Sequence, residues 1–100
     1  MNSSIVSNEA VLSNLNRITN QIYKLLPSRE EGIDWEKPLQ TLIIELTGMN
    51  NLLADQVNLF SLLCKLEALK TLNKEEDFFL YRKTIFECLG LLDEVKKQCQ

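Results

Sequence analysis

Residues 39–72 read LQTLIIELTGMNNLLADQVNLFSLLCKLEALKTL, and no other part of the chain is so committed to burial. Leucine alone fills eleven of these positions, more than half are apolar, proline is missing and glycine occurs once. The apolar residues do not alternate as a half-buried strand requires. They recur every three or four residues, the period of an amphipathic helix. Leu39, Leu42, Ile43, Leu46, Met49 and Leu53 make one broad stripe, which Ile44 and Leu52 extend sideways. Leu59, Leu62, Leu66 and Leu69 make a second, with Phe60 and Leu63 beside it. Asp55 is the natural N-cap between them, and so short a link predicts two antiparallel helices, about 35–53 and 56–72. Gly48 costs about 1 kcal/mol inside a helix relative to alanine. It implies either close approach to another helix or a break near Met49 to Asn51.

The same rhythm continues on both sides. Val11, Leu15, Ile18, Ile22 and Leu25 form a seam widened by Leu12 and Leu26, over a helix of about 8–26. Ser7 or Asn8 is its expected N-cap, and Pro27 is expected to end it by steering Leu26 out of the α region. Between this helix and the next lies the one long polar connection, PSREEGIDWEKP, which holds the single tryptophan, Trp35, and Ile33. Asp34 is a candidate N-cap, and Pro38 is tolerated in or near the first turn that follows. At the other end, Asn73 and Glu76 have capping-box spacing for a helix of about 74–98. Phe78, Tyr81, Ile85, Cys88, Leu92, Val95 and Cys99 form its seam, with Phe79, Phe86 and Leu89 as a second apolar flank. Acids at its start and Lys96 and Lys97 near its end suit the helix dipole.

One hundred residues, 45% apolar and 25% charged, describe one ordinary globular domain. Such a chain buries roughly 60–70% of its unfolded surface. The expected fold is all-α, a four-helix bundle of up-down-up-down antiparallel topology. Residues 1–7 form a flexible N-terminus and 8–100 a single bundle domain.

Composition also excludes chemistry. The chain has no histidine, which removes Ser-His-Asp and Cys-His triads, HExxH zinc sites and the Glu-x-x-His di-iron motif. Three scattered cysteines cannot complete a four-ligand zinc site, and an odd number is not a disulfide framework. Cys64 and Cys88 are therefore expected as small buried hydrophobes and Cys99 as an exposed thiol. Glycines stand only at 32, 48 and 90, so neither a Walker A loop nor a GxGxxG turn can be written. The acids cluster as Glu30-Glu31, Glu75-Glu76-Asp77 and Asp93-Glu94. Adjacent acids diverge by about 100° on a helix and converge poorly on one metal, so a Mg²⁺-carboxylate nucleotide hydrolase is a remote alternative. No cofactor, metal or small-molecule substrate is expected.

A formal net charge of −3 disfavours adsorption to anionic membranes or indiscriminate binding of nucleic acid. No apolar run is long enough to cross a bilayer and the start does not read as a secretion signal, so the expected location is the cytoplasm. These exclusions leave a non-enzymatic helical interaction module: an adaptor, an inhibitor or a minor subunit of a larger assembly. It would bind a protein, or a second copy of itself, through apolar surface the core does not use. Candidate interface residues are Trp35, Ile33, Phe60, Phe79 and Phe86, and Trp35 can instead fold back with Ile33 to cap one end of the core. The alternative is a helical subunit or regulator of a nucleoprotein complex, in which Arg82 and Lys83 make a weak nucleic-acid contact.

Overall fold

The computed structural model of the protein describes residues 8–52 and 57–98. Among them are four α-helices: α1 (Asn8–Glu30), α2 (Glu36–Leu52), α3 (Val57–Leu69) and α4 (Phe78–Gln98). A single 3₁₀ turn, Glu75–Asp77, leads into α4, and no strand occurs among the described residues. The fold is an all-α four-helix bundle. Each helix packs on its neighbour in the chain, and α4 closes the ring against α1. Expectations for residues 1–7, Leu53, Asp55 and Cys99, and for the side chains of Asn8 and Leu52, fall outside what the structure describes.

The core takes one seam from each helix. Val11, Leu15, Ile18, Ile22 and Leu25 of α1 meet Leu39, Leu42, Ile43 and Leu46 of α2. Leu59, Leu62, Leu66 and Leu69 of α3 and Tyr81, Ile85, Cys88, Leu92 and Val95 of α4 complete it. Every other residue predicted for these seams and described here is buried or packed against the buried cluster, whereas Phe78 is only half-buried at the end of α4 and stacks on Tyr81. Burial of each large side chain contributes about 1.5–3 kcal/mol, enough to hold helices whose own propensity is ordinary. Around this core, Arg17 of α1 pairs with Glu45 of α2, and Lys65 of α3 pairs with Glu87 of α4 at 3.2 Å.

The helix ends depart from expectation where local hydrogen bonding outweighs residue preference. Pro27 does not end α1, which runs three residues further to Glu30. The stop is Gly32, whose φ of 75° places it in the left-handed region. Its N–H donates to the Arg29 carbonyl at 3.2 Å, and the Ile33 N–H donates to the Ser28 carbonyl at 2.8 Å. These two bonds constitute a Schellman motif, which satisfies the last carbonyls and outweighs the bias that proline imposes on Leu26. Asp34 is a cap as predicted: its Oδ1 accepts from the N–H groups of Glu36 at 3.0 Å and Lys37 at 3.3 Å. Pro38 then sits in the first turn of α2, where backbone N–H groups lack intrahelical partners in any case.

α3 stops at Leu69, three residues short of the predicted end. Lys70, Thr71 and Leu72 each donate to a carbonyl three residues back, at 3.2, 3.0 and 3.1 Å, the tightened geometry of a helix terminus. The capping contact before α4 falls one residue later than Asn73 and Glu76. The Lys74 N–H donates to Asp77 Oδ2 at 3.3 Å, and the Asp77 N–H donates to the Lys74 carbonyl at 3.0 Å. Asp77 is short enough to reach back within the 3₁₀ turn, and α4 proper starts at Phe78 rather than near 74.

Gly48 neither breaks α2 nor receives a neighbouring helix: the helix is continuous through it, and a Cβ built there meets nothing within 4 Å. The glycine therefore supplies only unwanted backbone freedom. Gly48→Ala is expected to stabilise the protein by about 0.5–1 kcal/mol, seen as a rise of several degrees in Tm. An unchanged or lower Tm would contradict the open space at this position.

Candidate functional site

The seven residues singled out in the sequence fall in two places and two outliers. At the end of the bundle where α1 stops and α4 starts, Trp35 is half-buried against the core. Its ring meets Tyr81 edge-on with centroids 5.1 Å apart, and Phe78 lies stacked with Tyr81 at 6.4 Å. Arg29 holds this group together. Its guanidinium lies 4.2 Å from the Tyr81 centroid, 5.3 Å from that of Trp35 and 5.6 Å from that of Phe78. It also donates to the Leu72 carbonyl, and to the Lys74 carbonyl at 2.5 Å. Trp35 thus caps the core end, as one of its two readings required. Ile33 does not fold back with it and is 54% exposed, because the Schellman turn carries its side chain away from the core.

Nothing in the periodicity marked Arg29, a polar residue past the expected end of the helix. The available signal was positional: three residues before the αL glycine, on a helix that continues through Pro27, Arg29 follows Leu25 by one turn on the buried side.

The second place is the outer face of α4. Phe79 is 78% exposed, and Phe86 is about half exposed. Together with Arg82, Lys83 and Glu87 they line a shallow groove. The Arg82 guanidinium lies 5.2 Å from the Phe86 centroid, within cation–π range. Neither Arg82 nor Lys83 forms an ion pair with a described residue, whereas Glu87 is engaged by Lys65. Both basic residues predicted for this stretch are exposed. Phe86, read in the sequence as part of a second apolar flank of α4, lies outside the core, two residues short of the buried Cys88.

Phe60 stands apart on α3, 61% exposed, one turn from the exposed Cys64. Tyr23, Ile44 and Leu80 are further large exposed hydrophobics that sequence reasoning either missed or assigned to the core flank. Ile44 follows the buried Ile43 by one residue, and about 100° of helical rotation is enough to take it out of the stripe.

The two described cysteines differ. Cys88 is buried, and desolvation pushes its thiol from 9.0 up to about 12, with Lys65 opposing the shift slightly. Cys64 is exposed, contrary to expectation: it lies on the outward side of α3 between the half-buried Leu63 and Lys65. In a Cys99→Ser background, one equivalent of a thiol reagent is expected to label the native protein rapidly at Cys64. Cys88 should react only on unfolding, since the thiolate is the reactive form. Fast native labelling of both thiols would contradict the burial of Cys88.

Among the described residues, neither the buried Tyr81 hydroxyl nor the buried Asn50 Oδ1 has a hydrogen-bond partner. Burial pushes the Tyr81 phenol well above its ordinary value of 10.0, with the nearby Arg29 charge acting in the opposite direction. Among the described residues no three His, Cys, Asp or Glu side chains gather as metal ligands would. No helix among them is long and apolar enough to cross a membrane. Comparison of the chain with protein-family models, curated proteins and solved structures finds no match.

Proposed function

We propose that the protein is a small, non-enzymatic helical interaction module, an adaptor, inhibitor or minor subunit that binds another protein through the outer face of α4. One observation carries this reading: the core is filled by one seam per helix, yet Phe79 and Phe86 remain outside it, with Arg82 and Lys83 beside them forming no ion pair with a described residue. Exposed aromatic surface rimmed by polar groups is the usual mark of an interface, and aromatic residues and arginine dominate interface energetics. The full chain, immobilised as bait, is expected to retain a specific protein from an extract of its own cell. A Phe79→Ser/Phe86→Ser variant is expected to lose it while keeping its thermal stability, since both rings lie outside the core. Identical capture by the two baits would remove the α4 face from consideration.

A second reading, a subunit or regulator of a nucleoprotein complex, draws on the same face. Arg82 against Phe86, with Lys83 adjacent, combines a cation with a stacking ring, as single-strand binders do. The acidic balance of the chain opposes it. A mobility-shift assay at low salt tests it, and lack of binding to single-stranded RNA or DNA there would dispose of it.

A further inference from the structure

α4 carries two heptad seams on opposite faces. The inner one, Tyr81, Ile85, Cys88, Leu92 and Val95, is buried in the core. The outer one runs Phe79, Lys83, Phe86, Gly90, Asp93 and Lys97, at spacings of four, three, four, three and four, and all six residues are exposed. What sets this line apart is its content: two aromatic rings, a glycine and three charges of both signs share the one side of α4 that the core does not use.

The order of residues along this seam identifies the partner. The seam is symmetric about position 88, so a second α4 laid antiparallel across it brings Phe86 opposite Gly90, Lys83 opposite Asp93 and Phe79 opposite Lys97, and each pair occurs twice. All three pairs are favourable. A Cβ built at Gly90 meets nothing within 4 Å, so the helix there offers a notch for a ring. Lys83 and Asp93 are opposite charges, and Lys97 reaches a ring face; within one copy Lys97 lies only loosely against Asp93 at 4.0 Å and Glu94 at 3.8 Å, exposed contacts that a partner can replace. A parallel pairing would instead set Lys83 against Lys83 and Asp93 against Asp93. At the centre of the antiparallel pair the two Glu87 carboxylates approach each other, but each is already engaged by Lys65 at 3.2 Å.

We propose that the outer face of α4 is a self-association surface on which a second copy of this chain docks its own α4 antiparallel. Phe86 of each copy then occupies the notch at Gly90 of the other. This deepens the interface reading above and rests on it. The surface is isologous, as a two-fold dimer requires. The seam is about 27 Å long, from 18 residue steps of about 1.5 Å. One such helix pair falls near the lower end of specific interfaces, so the dimer is weak and reversible.

Sedimentation velocity of the full chain across a concentration series tests this, with Lys83→Asp, Asp93→Lys and the double variant alongside the wild type. The wild type is expected to show a reversible monomer–dimer equilibrium. Either single substitution, by placing like charges opposite each other, should weaken it by about tenfold or more. The double variant restores opposite charges and should recover most of the affinity. Both substituted positions are exposed, and circular dichroism confirms that each variant is folded. A wild type that is monomeric at every concentration overturns the proposal. So does a dimer indifferent to the single substitutions, or one that the double variant fails to restore. Comparison of the wild-type and Phe79→Ser/Phe86→Ser baits separates the two readings. A monomeric wild type that still captures a protein dependent on those rings overturns self-association alone, whereas equal capture by both baits, together with a monomeric wild type, overturns both.

Discussion

Arg29→Ala is expected to lower the stability of the bundle by about 2–4 kcal/mol, read as a lower urea midpoint with little change in slope. The side chain holds two backbone carbonyls, those of Leu72 and Lys74, in the connection between α3 and α4. A hydrogen bond from a charged donor contributes about 1.5–3 kcal/mol. The guanidinium also lies over Tyr81, where a partly desolvated cation–π contact adds about 1 kcal/mol or more. These terms overlap, which is why the expected loss is less than their sum. Arg29→Lys should recover less than half of it, because an ammonium group cannot donate to both carbonyls and lie flat on a ring. Arg17→Ala is the control. Arg17 pairs with Glu45 at a largely solvated site, where ion pairs contribute little. Equal losses at Arg17 and Arg29 would show that the Arg29 clamp is no more than a surface contact.

Alkaline pH should unfold the protein more readily than its composition suggests. The unfolded chain releases the Cys88 proton near 9.0 and the Tyr81 proton near 10.0, whereas the folded chain keeps both to higher pH because burial penalises the anions. Folded pKa values raised above the unfolded ones give stability that is fully present below pH 9 and is lost as pH rises. Each group steepens the fall by up to about 1.4 kcal/mol per pH unit. For Cys88, whose folded value is about 12, the loss approaches about 4 kcal/mol by that pH. The urea midpoint is therefore expected to hold steady from pH 7 to 9 and to drop sharply by pH 11. Cys88→Ala should be less stable at pH 7 yet flatter above pH 9, and Tyr81→Phe should remove its own share of the slope. Tyr81→Phe also deletes a buried hydroxyl that has no partner among the described residues, so no loss of stability at neutral pH is expected from it. A midpoint independent of pH up to 11 would mean that both groups reach solvent in the native state.

The helices and their inner faces were legible because burial imposes a period, and Leu15, Ile18, Leu62, Leu66, Ile85 and Leu92 carry that period without interruption. The ends were less legible because they are set by a few hydrogen bonds. Pro27 reads as a stop by its steric effect on Leu26, but the chain stops where Gly32 can turn left-handed and Ile33 can bond back to Ser28. Residue type alone also misplaced Cys64, a habitual core residue that one further step of helical rotation leaves outside. For the outer face of α4 the residues were readable and their role was not. Phe79 and Phe86 look like additions to a core until the structure shows that the core is complete without them. The spacing of Lys83, Gly90, Asp93 and Lys97 has no meaning until those residues are known to share one exposed line with the two phenylalanines.

The clamp at Arg29 has a kinetic side. It joins residues 43 and 45 positions apart in the chain, whereas the sequential helix pairs, α1 with α2 and α3 with α4, meet over much shorter stretches. Local pairings cost less chain entropy and form early, so these two helix pairs can be assembled before the ring between α1 and α4 closes. A contact made after the rate-limiting step leaves the folding rate alone and governs how fast the native state opens. Arg29→Ala should therefore act on the unfolding limb of a chevron plot, raising the unfolding rate by about thirtyfold or more for a loss of 2 kcal/mol, with refolding nearly unchanged. On that account, Arg29 acts as a latch that sets the lifetime of the folded bundle.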